Sequence, residues 1–142
     1  LETPDFAEQA PDAQSWAVAL MRHVAAIVTE AGVTGADFDA YGALPLELPG
    51  VSHNPPLMAL PEHFVGADDT LGVILGAPAP DFASRIEDMP HSPVRLVPVV
   101  LLTASELAEL RAGDETTCFA LVDALTAKGH RNLSSAARAP LF

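Results

Sequence analysis

Cysteine and basic residues are scarce in this sequence, and no apolar run is long enough to cross a bilayer. Cys118 is the single cysteine among 142 residues, so no intrachain disulfide can form. The longest apolar run, near Leu96–Leu102, is far below the roughly 20 residues of a membrane-spanning helix. No signal-peptide pattern is present at the N-terminus. A reducing compartment is therefore predicted, and we expect a cytoplasmic protein.

Positive charge is also in short supply. The chain has 7 Lys and Arg against 19 Asp and Glu, a formal net charge of −12. Nucleic acids and anionic membranes are both held by Lys and Arg, so this balance argues against either as a partner. It favours a basic protein partner, which an acidic surface attracts over long range. An acidic surface also has a plainer use, which is to keep a small hydrophobic domain soluble.

Short motifs for catalysis, metal binding and phosphate binding are missing as well. The sequence contains no H-E-x-x-H, G-x-S-x-G, G-x-G-x-x-G or P-loop pattern. These absences favour, without deciding, a protein that is not an enzyme, and we assign no catalytic residue, no cofactor and no metal ligand. Many active sites carry no short motif, so an enzyme stays open as an alternative.

What the sequence does contain is a long stretch rich in glycine and proline, residues 33–66, which looks irregular. A loop-rich stretch of this length in a compact domain is usually functional. Six polar residues cluster in or beside it and are the predicted partner-binding residues: His53, Asn54, Glu62, His63, Asp68 and Asp69. The alternative is a metal-dependent enzyme or metal-binding domain. It requires His53, His63 and the nearby carboxylates Asp68 and Asp69 to converge.

The clearest structural signal is the run Val94–Leu102, which is apolar and rich in β-branched residues and so predicts a buried strand. Pro98 inside it removes a backbone donor, so we expect a bulge or an edge position there. Thr103 and Glu106 follow with the spacing of a capping box, which predicts that a helix begins at once and runs to about Ala112.

Periodicity and cap residues predict the other elements. They are a helix over about 13–31, an edge strand over 44–48, a second candidate strand over 57–60, a central strand over 70–77, a helical turn over 81–86, a helix over about 115–128 and a loosely held tail over 130–142. No alternation of strands and helices typical of a doubly wound fold appears. The predicted class is α+β, with a small, mixed but mostly antiparallel sheet packed by an N-terminal helix and two C-terminal helices.

These features resemble the suppressor-of-fused-like domain family. The resemblance is carried by Trp16 on the first helix, by LGVILGAPAP from Leu71 to Pro80, and by the strand of Val94 to Pro98 with Thr103 and Glu106 opening the next helix. It spans roughly residues 12–128. The family domain has further strands before its tryptophan-containing helix. We therefore expect residues 1–142 to be a single domain of this type that lacks its N-terminal strands and has an open sheet edge.

The resemblance implies a non-enzymatic protein-binding function. The animal namesake is a cytoplasmic regulator that sequesters a transcription factor. Bacterial relatives look like stand-alone binding proteins, some of them immunity proteins, and an acidic protein can neutralise a basic toxin by fast electrostatic association. A third reading is a structural domain of a larger protein, because residue 1 is Leu rather than Met.

Overall fold

A computed structural model describes residues 15–91, 93–130, 132 and 134–142 of the chain. In order, its elements are α1 (Ser15–Ala31), α2 (Gly35–Tyr41), β1 (Leu44–Pro49), β2 (Thr70–Leu75), β3 (Arg85–Ile86), β4 (Val94–Arg95), β5 (Val99–Leu102), α3 (Ala104–Ala112) and α4 (Thr117–Ala127). Three single 3₁₀ turns, Val51–His53, Leu57–Ala59 and Glu62–Phe64, lie between β1 and β2.

The strands form a three-stranded sheet of order β1-β2-β5 and a separate pair, β3-β4, and every pairing is antiparallel. All six residues of β2 are buried, which confirms the central position predicted for that strand. The predicted α+β class is therefore confirmed: the described residues form four α-helices around a small antiparallel sheet.

Side chains alternate across β2 and build two cores. Because successive residues of a strand point to opposite faces, Leu71, Val73 and Leu75 face one layer and Ile74 faces the other. The first core joins Trp16 and the rest of the inner face of α1 to the 3₁₀ turns. The second core contains the buried residues of α4, which are Cys118, Leu121, Val122 and Leu125. The sheet is thus packed between α1 and the loops on one side and α4 on the other.

The junction between β5 and α3 has the predicted cap. The Thr103 side chain accepts a hydrogen bond from Glu106 N, and the Glu106 carboxylate accepts one from Thr103 N at 2.8 Å. Gly72 of β2 lies directly beneath α3, where a Cβ atom would stand 2.9 Å from Leu107 Cδ1. Glycine at this position lets the helix pack closely against the sheet.

The C-terminal segment differs most from expectation, since it is not a loosely held tail. Asn132, Ser134 and Arg138 are buried. Ser134 Oγ donates to Val99 O at 2.6 Å and accepts from Leu101 N at 3.0 Å, and Arg138 Nη2 donates to Leu101 O at 2.9 Å. The Ser134 and Arg138 side chains therefore provide hydrogen-bond partners for the backbone groups on the outer edge of β5, which have no neighbouring strand to pair with.

Other boundaries also need correction. The stretch 33–66 is not wholly irregular, because it includes the helix α2. The candidate strand over 57–60 is wrong, since the 3₁₀ turn Leu57–Ala59 lies there. The predicted helical turn over 81–86 ends in the strand β3. The run Val94–Leu102 is interrupted at Leu96–Pro98, so it makes two strands, and β5 is an edge strand.

The helix boundaries need smaller corrections. Helix α4 begins at Thr117, two residues later than predicted, because the Asp114 carboxylate caps the preceding turn by accepting from Thr116 N at 2.9 Å. Residues 13 and 14 of the predicted first helix lie outside the described residues, as does the N-terminal segment 1–11. Helix α1 ends as predicted at Gly32, whose φ is +68°.

Within the described ranges, no single helix is long and apolar enough to cross a membrane. Trp16–Ala31 and Gly35–Tyr41 meet such a criterion only when taken together, with a 90° bend between them.

Candidate partner-binding rim

The six residues predicted to bind a partner fall into separate places around the segment between β1 and β2. Asp68 and Asp69 lie in the tight turn that leads into β2, and His53 ends the first 3₁₀ turn. His63 lies in the third 3₁₀ turn and faces the C-terminal segment. Glu62 is exposed and Asn54 is half-buried.

Asp69 anchors the start of this segment to its end. Its carboxylate accepts hydrogen bonds from Ser52 N at 2.9 Å and from Ser52 Oγ at 2.7 Å, and its carbonyl accepts from Gly50 N at 3.0 Å. The residue holds a left-handed conformation with φ of +61°, which Asp tolerates better than most side chains. Positions 50–52 and 69 are therefore held together as one unit.

Ser52 also lies near a histidine, since its Oγ is 3.4 Å from His53 Nδ1. This order differs from that of a Ser-His-Asp relay, in which the acid orients the histidine and the histidine activates the serine. Here the Asp69 carboxylate accepts a hydrogen bond directly from the Ser52 hydroxyl. The three side chains therefore act as a hydrogen-bonded clamp on the loop.

Asp68 belongs to a three-membered ion cluster with two residues that the sequence did not single out. Arg111, near the end of α3, donates to Glu47 Oε1 at 2.9 Å, to Glu47 Oε2 at 2.6 Å and to Asp68 Oδ2 at 2.8 Å. Hydrogen bonds from Arg111 hold the pKa of Glu47 and that of Asp68 below their usual ranges. The same bonds raise the pKa of Arg111. All three groups stay charged near neutral pH.

Together Glu47, Asp68 and Asp69 form what we call the acidic rim, at the end of the sheet where β1 finishes and β2 begins. Glu47 and Asp68 share the Arg111 guanidinium, whereas the Asp69 carboxylate is hydrogen-bonded by Ser52. The three carboxylates and the one guanidinium together carry a formal charge of −2. Glu47, Asp68 and Arg111 keep between 39 and 51% of their side-chain surface exposed. Their charges therefore remain available to a partner.

His63 has a structural environment that separates it from the rim. Its Nε2 atom donates to the carbonyl of Arg138 at 2.9 Å, and its ring lies 4.4 Å from that of Phe64. The Arg138 guanidinium lies 5.9 Å from the Phe64 ring centroid and pairs with Glu106 at 2.5 and 2.6 Å. His63 thus helps to fix the C-terminal segment in place.

The geometry does not bring the proposed metal ligands together. No group of three or more His, Cys, Asp or Glu that could hold a metal ion occurs in the described part of the chain. The convergence of His53, His63, Asp68 and Asp69 that the alternative reading requires is therefore not seen.

Sequence reasoning found the two aspartates but missed their partners. Glu47 is a polar residue of the strand β1, and Arg111 is a basic residue in the last turn of α3, and neither pattern by itself indicates an ion cluster. Nothing local in the sequence indicates that side chains 64 positions apart form a bidentate pair.

Comparisons with known proteins add no relative to this picture: no family model, no curated protein and no solved structure matches the chain.

Proposed function

We propose that this chain is a non-enzymatic protein-binding domain that takes a basic partner on the acidic rim. The observation that carries the proposal is the rim itself, where Glu47 and Asp68 share one guanidinium and Asp69, next in sequence, is held by Ser52. Carboxylates in this arrangement accept hydrogen bonds from Lys and Arg side chains of a partner. An immunity or regulatory protein of the suppressor-of-fused-like type, acting in the cytoplasm, is the form of this function that the sequence resemblance favours.

The rim is preorganised, which supports a binding role. Asp69 is held by Ser52, and Asp68 and Glu47 are held by Arg111, so the carboxylates do not have to be ordered when a partner arrives. Ordering side chains at an interface costs roughly 0.5–1.5 kcal/mol each, and prior ordering removes part of that cost.

Net charge provides the second support. A chain with net charge −12 attracts a basic protein over several ångströms, and such steering raises the association rate more than the final affinity. The proposal therefore predicts a partner whose association rate falls steeply as salt is added.

The test is a comparison of three baits in a pull-down from the source lysate, followed by kinetics with the purified partner. The baits are the unchanged chain, Asp68→Asn with Asp69→Asn, and a charge-matched control, Glu30→Gln with Asp123→Asn. Asn tolerates the left-handed backbone of Asp69, and circular dichroism checks that each variant is folded.

We expect the unchanged chain to capture a basic protein at low salt, and the rim variant to slow its association at least tenfold. The control carries the same net charge and should slow it far less. Equal losses in both variants would show that net charge alone steers the partner and would reject the rim. Capture of no basic protein by the unchanged chain at any salt concentration would also count against the proposal.

A further inference from the structure

A cleft on another part of the surface combines apolar walls with positive charge. It lies between the end of α2, the segment from Gly76 to Arg85 and the returning segment from Arg95 to Pro98, and it encloses about 240 Å³. Phe38, Phe82 and Leu96 are among the residues that line it. Leu96 is 37% exposed, so part of this apolar wall faces solvent.

Two arginines stand at this cleft in direct opposition. Arg85 of β3 and Arg95 of β4 are register partners in an antiparallel pair, so their side chains emerge on the same face of the ribbon. Like charges placed directly opposite each other destabilise a strand pair unless an anion lies between or beside them. In a chain with only 7 basic residues, two at one small cleft are a marked concentration of positive charge.

Among the described residues, only one of the two arginines has a carboxylate partner. Arg95 pairs with Asp39 and donates to Gly35 O at 2.7 Å, both belonging to α2. No carboxylate among the described residues pairs with Arg85, although the protein has an excess of carboxylates. Arg85 is exposed and lines the cleft, so its donors remain available to an anion.

The chemistry of the walls selects the kind of anion. A guanidinium offers paired N–H donors that match the two oxygens of a carboxylate. Apolar and aromatic walls add nothing to the binding of inorganic phosphate, but they remove the body of an organic acid from water. The volume fits a body of about one ring.

We propose that this cleft binds a small carboxylic acid with an apolar, ring-sized body. Its carboxylate is held by Arg85, with Arg95 contributing the second positive charge, and its body packs on Phe38, Phe82 and Leu96. This inference concerns a different surface from the acidic rim and does not depend on the partner proposed there.

The test uses phenylacetate, its neutral isostere phenylacetamide and inorganic phosphate as probes, with binding followed by ¹⁵N–¹H chemical shifts of the full chain. We expect phenylacetate to bind at least tenfold more tightly than phenylacetamide, with shifts centred on Gly76–Arg85 and Arg95–Val97. Arg85→Gln should weaken the binding of phenylacetate at least tenfold. Arg22→Gln removes an exposed arginine of α1 and is the matched control, for which no change is expected.

Phe82→Ala separates the contribution of the apolar wall from that of the charge, because it should weaken the binding of phenylacetate and of phenylacetamide by the same factor. Equal binding of the acid and the amide would overturn the proposal, as would an Arg85→Gln variant that binds phenylacetate like the unchanged chain. Phosphate binding as tight as that of phenylacetate would reject the organic acid as the ligand. Thermal unfolding of each variant confirms that it is folded before its binding is compared.

Discussion

At the scale of single residues, Glu106 places a carboxylate in the interior of the protein. Its side chain is 0% exposed and accepts hydrogen bonds from Thr103 N, Leu141 N and both terminal nitrogens of Arg138. A buried charge is costly unless it is paired and hydrogen-bonded. Glu106 therefore begins α3 as its cap and also holds the C-terminal segment against the sheet.

The pH dependence of stability should reveal this pair. Burial opposes ionisation of Glu106, but the hydrogen bonds from Arg138 and from Thr103 N outweigh it and hold the pKa below its ordinary value. A carboxylate with a depressed folded-state pKa contributes stability above its unfolded-state pKa, and that stability is lost as the pH falls through the folded-state pKa.

Glu106→Gln should lower the free energy of unfolding by about 3–5 kcal/mol at pH 7, because it leaves the Arg138 charge buried and unpaired.

Urea unfolding of the unchanged chain and of Glu106→Gln, measured from pH 7 down to pH 3, checks this. The gap between the two proteins should narrow as the pH falls, since only the unchanged chain loses the ionised Glu106. Carboxylates elsewhere titrate in both proteins and cancel in the difference. A gap that stays constant over the whole range would show that Glu106 is not ionised in the folded protein.

Gly76 is the second residue whose identity the fold requires. It has φ of +79°, and an added Cβ would stand 2.8 Å from Gly42 O and 2.9 Å from Phe38 Cδ1. Gly32 has a similar φ of +68° but open space around it, so it is the matched control. Gly32→Ala should cost about 1–2 kcal/mol from backbone strain alone. Gly76→Ala should lower the free energy of unfolding by more than Gly32→Ala does, because the backbone carbonyl of Gly42 cannot move aside. The urea unfolding midpoints of the two variants test this. Equal costs would mean that the contact at Gly76 relaxes freely.

At the scale of secondary structure, elements with a complete local signal were predictable. The apolar stripe of α1 and its terminal glycine, the buried run of β2 and the cap of α3 are each encoded within a few neighbouring residues. The fold class followed from their order. Helix α2 was missed because it has only seven residues and none of them is buried, so no apolar stripe marks it. Its start is stabilised instead by Asp37, which accepts from Thr34 N at 2.7 Å.

Segments that are held in place by residues far away in the sequence could not be predicted. Residues 130–142 mix polar and small apolar residues without a helical or strand period and include Pro140, a pattern typical of a tail. Their order comes from contacts with β5 and Glu106, more than 30 positions away. The same limit applies to the acidic rim, where the loop position of Asp68 and Asp69 could be read locally and their link to Arg111 could not.

Ser134 tests the role of the C-terminal segment as the cover of the sheet edge. Ser134→Ala removes the bridge between Val99 O and Leu101 N and leaves a buried N–H without its partner. Such a group costs about 1–3 kcal/mol, so the urea midpoint should fall accordingly. Ser84→Ala changes an exposed serine beside β3 and should leave the midpoint nearly unchanged. Hydrogen exchange at Leu101 should also accelerate in Ser134→Ala alone. Slow exchange in that variant would show that another group protects the edge.

At the scale of the whole molecule, the two cores share a single central strand. Leu71, Val73 and Leu75 belong to the core under α1, whereas Ile74 belongs to the core under α4. Strand β5 also contributes to both cores, with Leu101 in the first and Val100 and Leu102 in the second. Loss of packing on one face of β2 and β5 therefore removes support from the other face. We infer that the two cores unfold together.

The single tryptophan makes this testable, because Trp16 reports on the first core only. Ile74→Ala removes buried atoms from the opposite core and should cost about 2–5 kcal/mol. If the cores are one cooperative unit, the urea transition followed by Trp16 fluorescence shifts by the same amount as the transition followed by far-ultraviolet circular dichroism.

Val73→Ala lies in the same core as Trp16, so it shows that the fluorescence probe responds to lost packing. A fluorescence midpoint that moves in Val73→Ala but not in Ile74→Ala would mean that the two faces of β2 unfold separately, and the sheet would then be a boundary between two folding units.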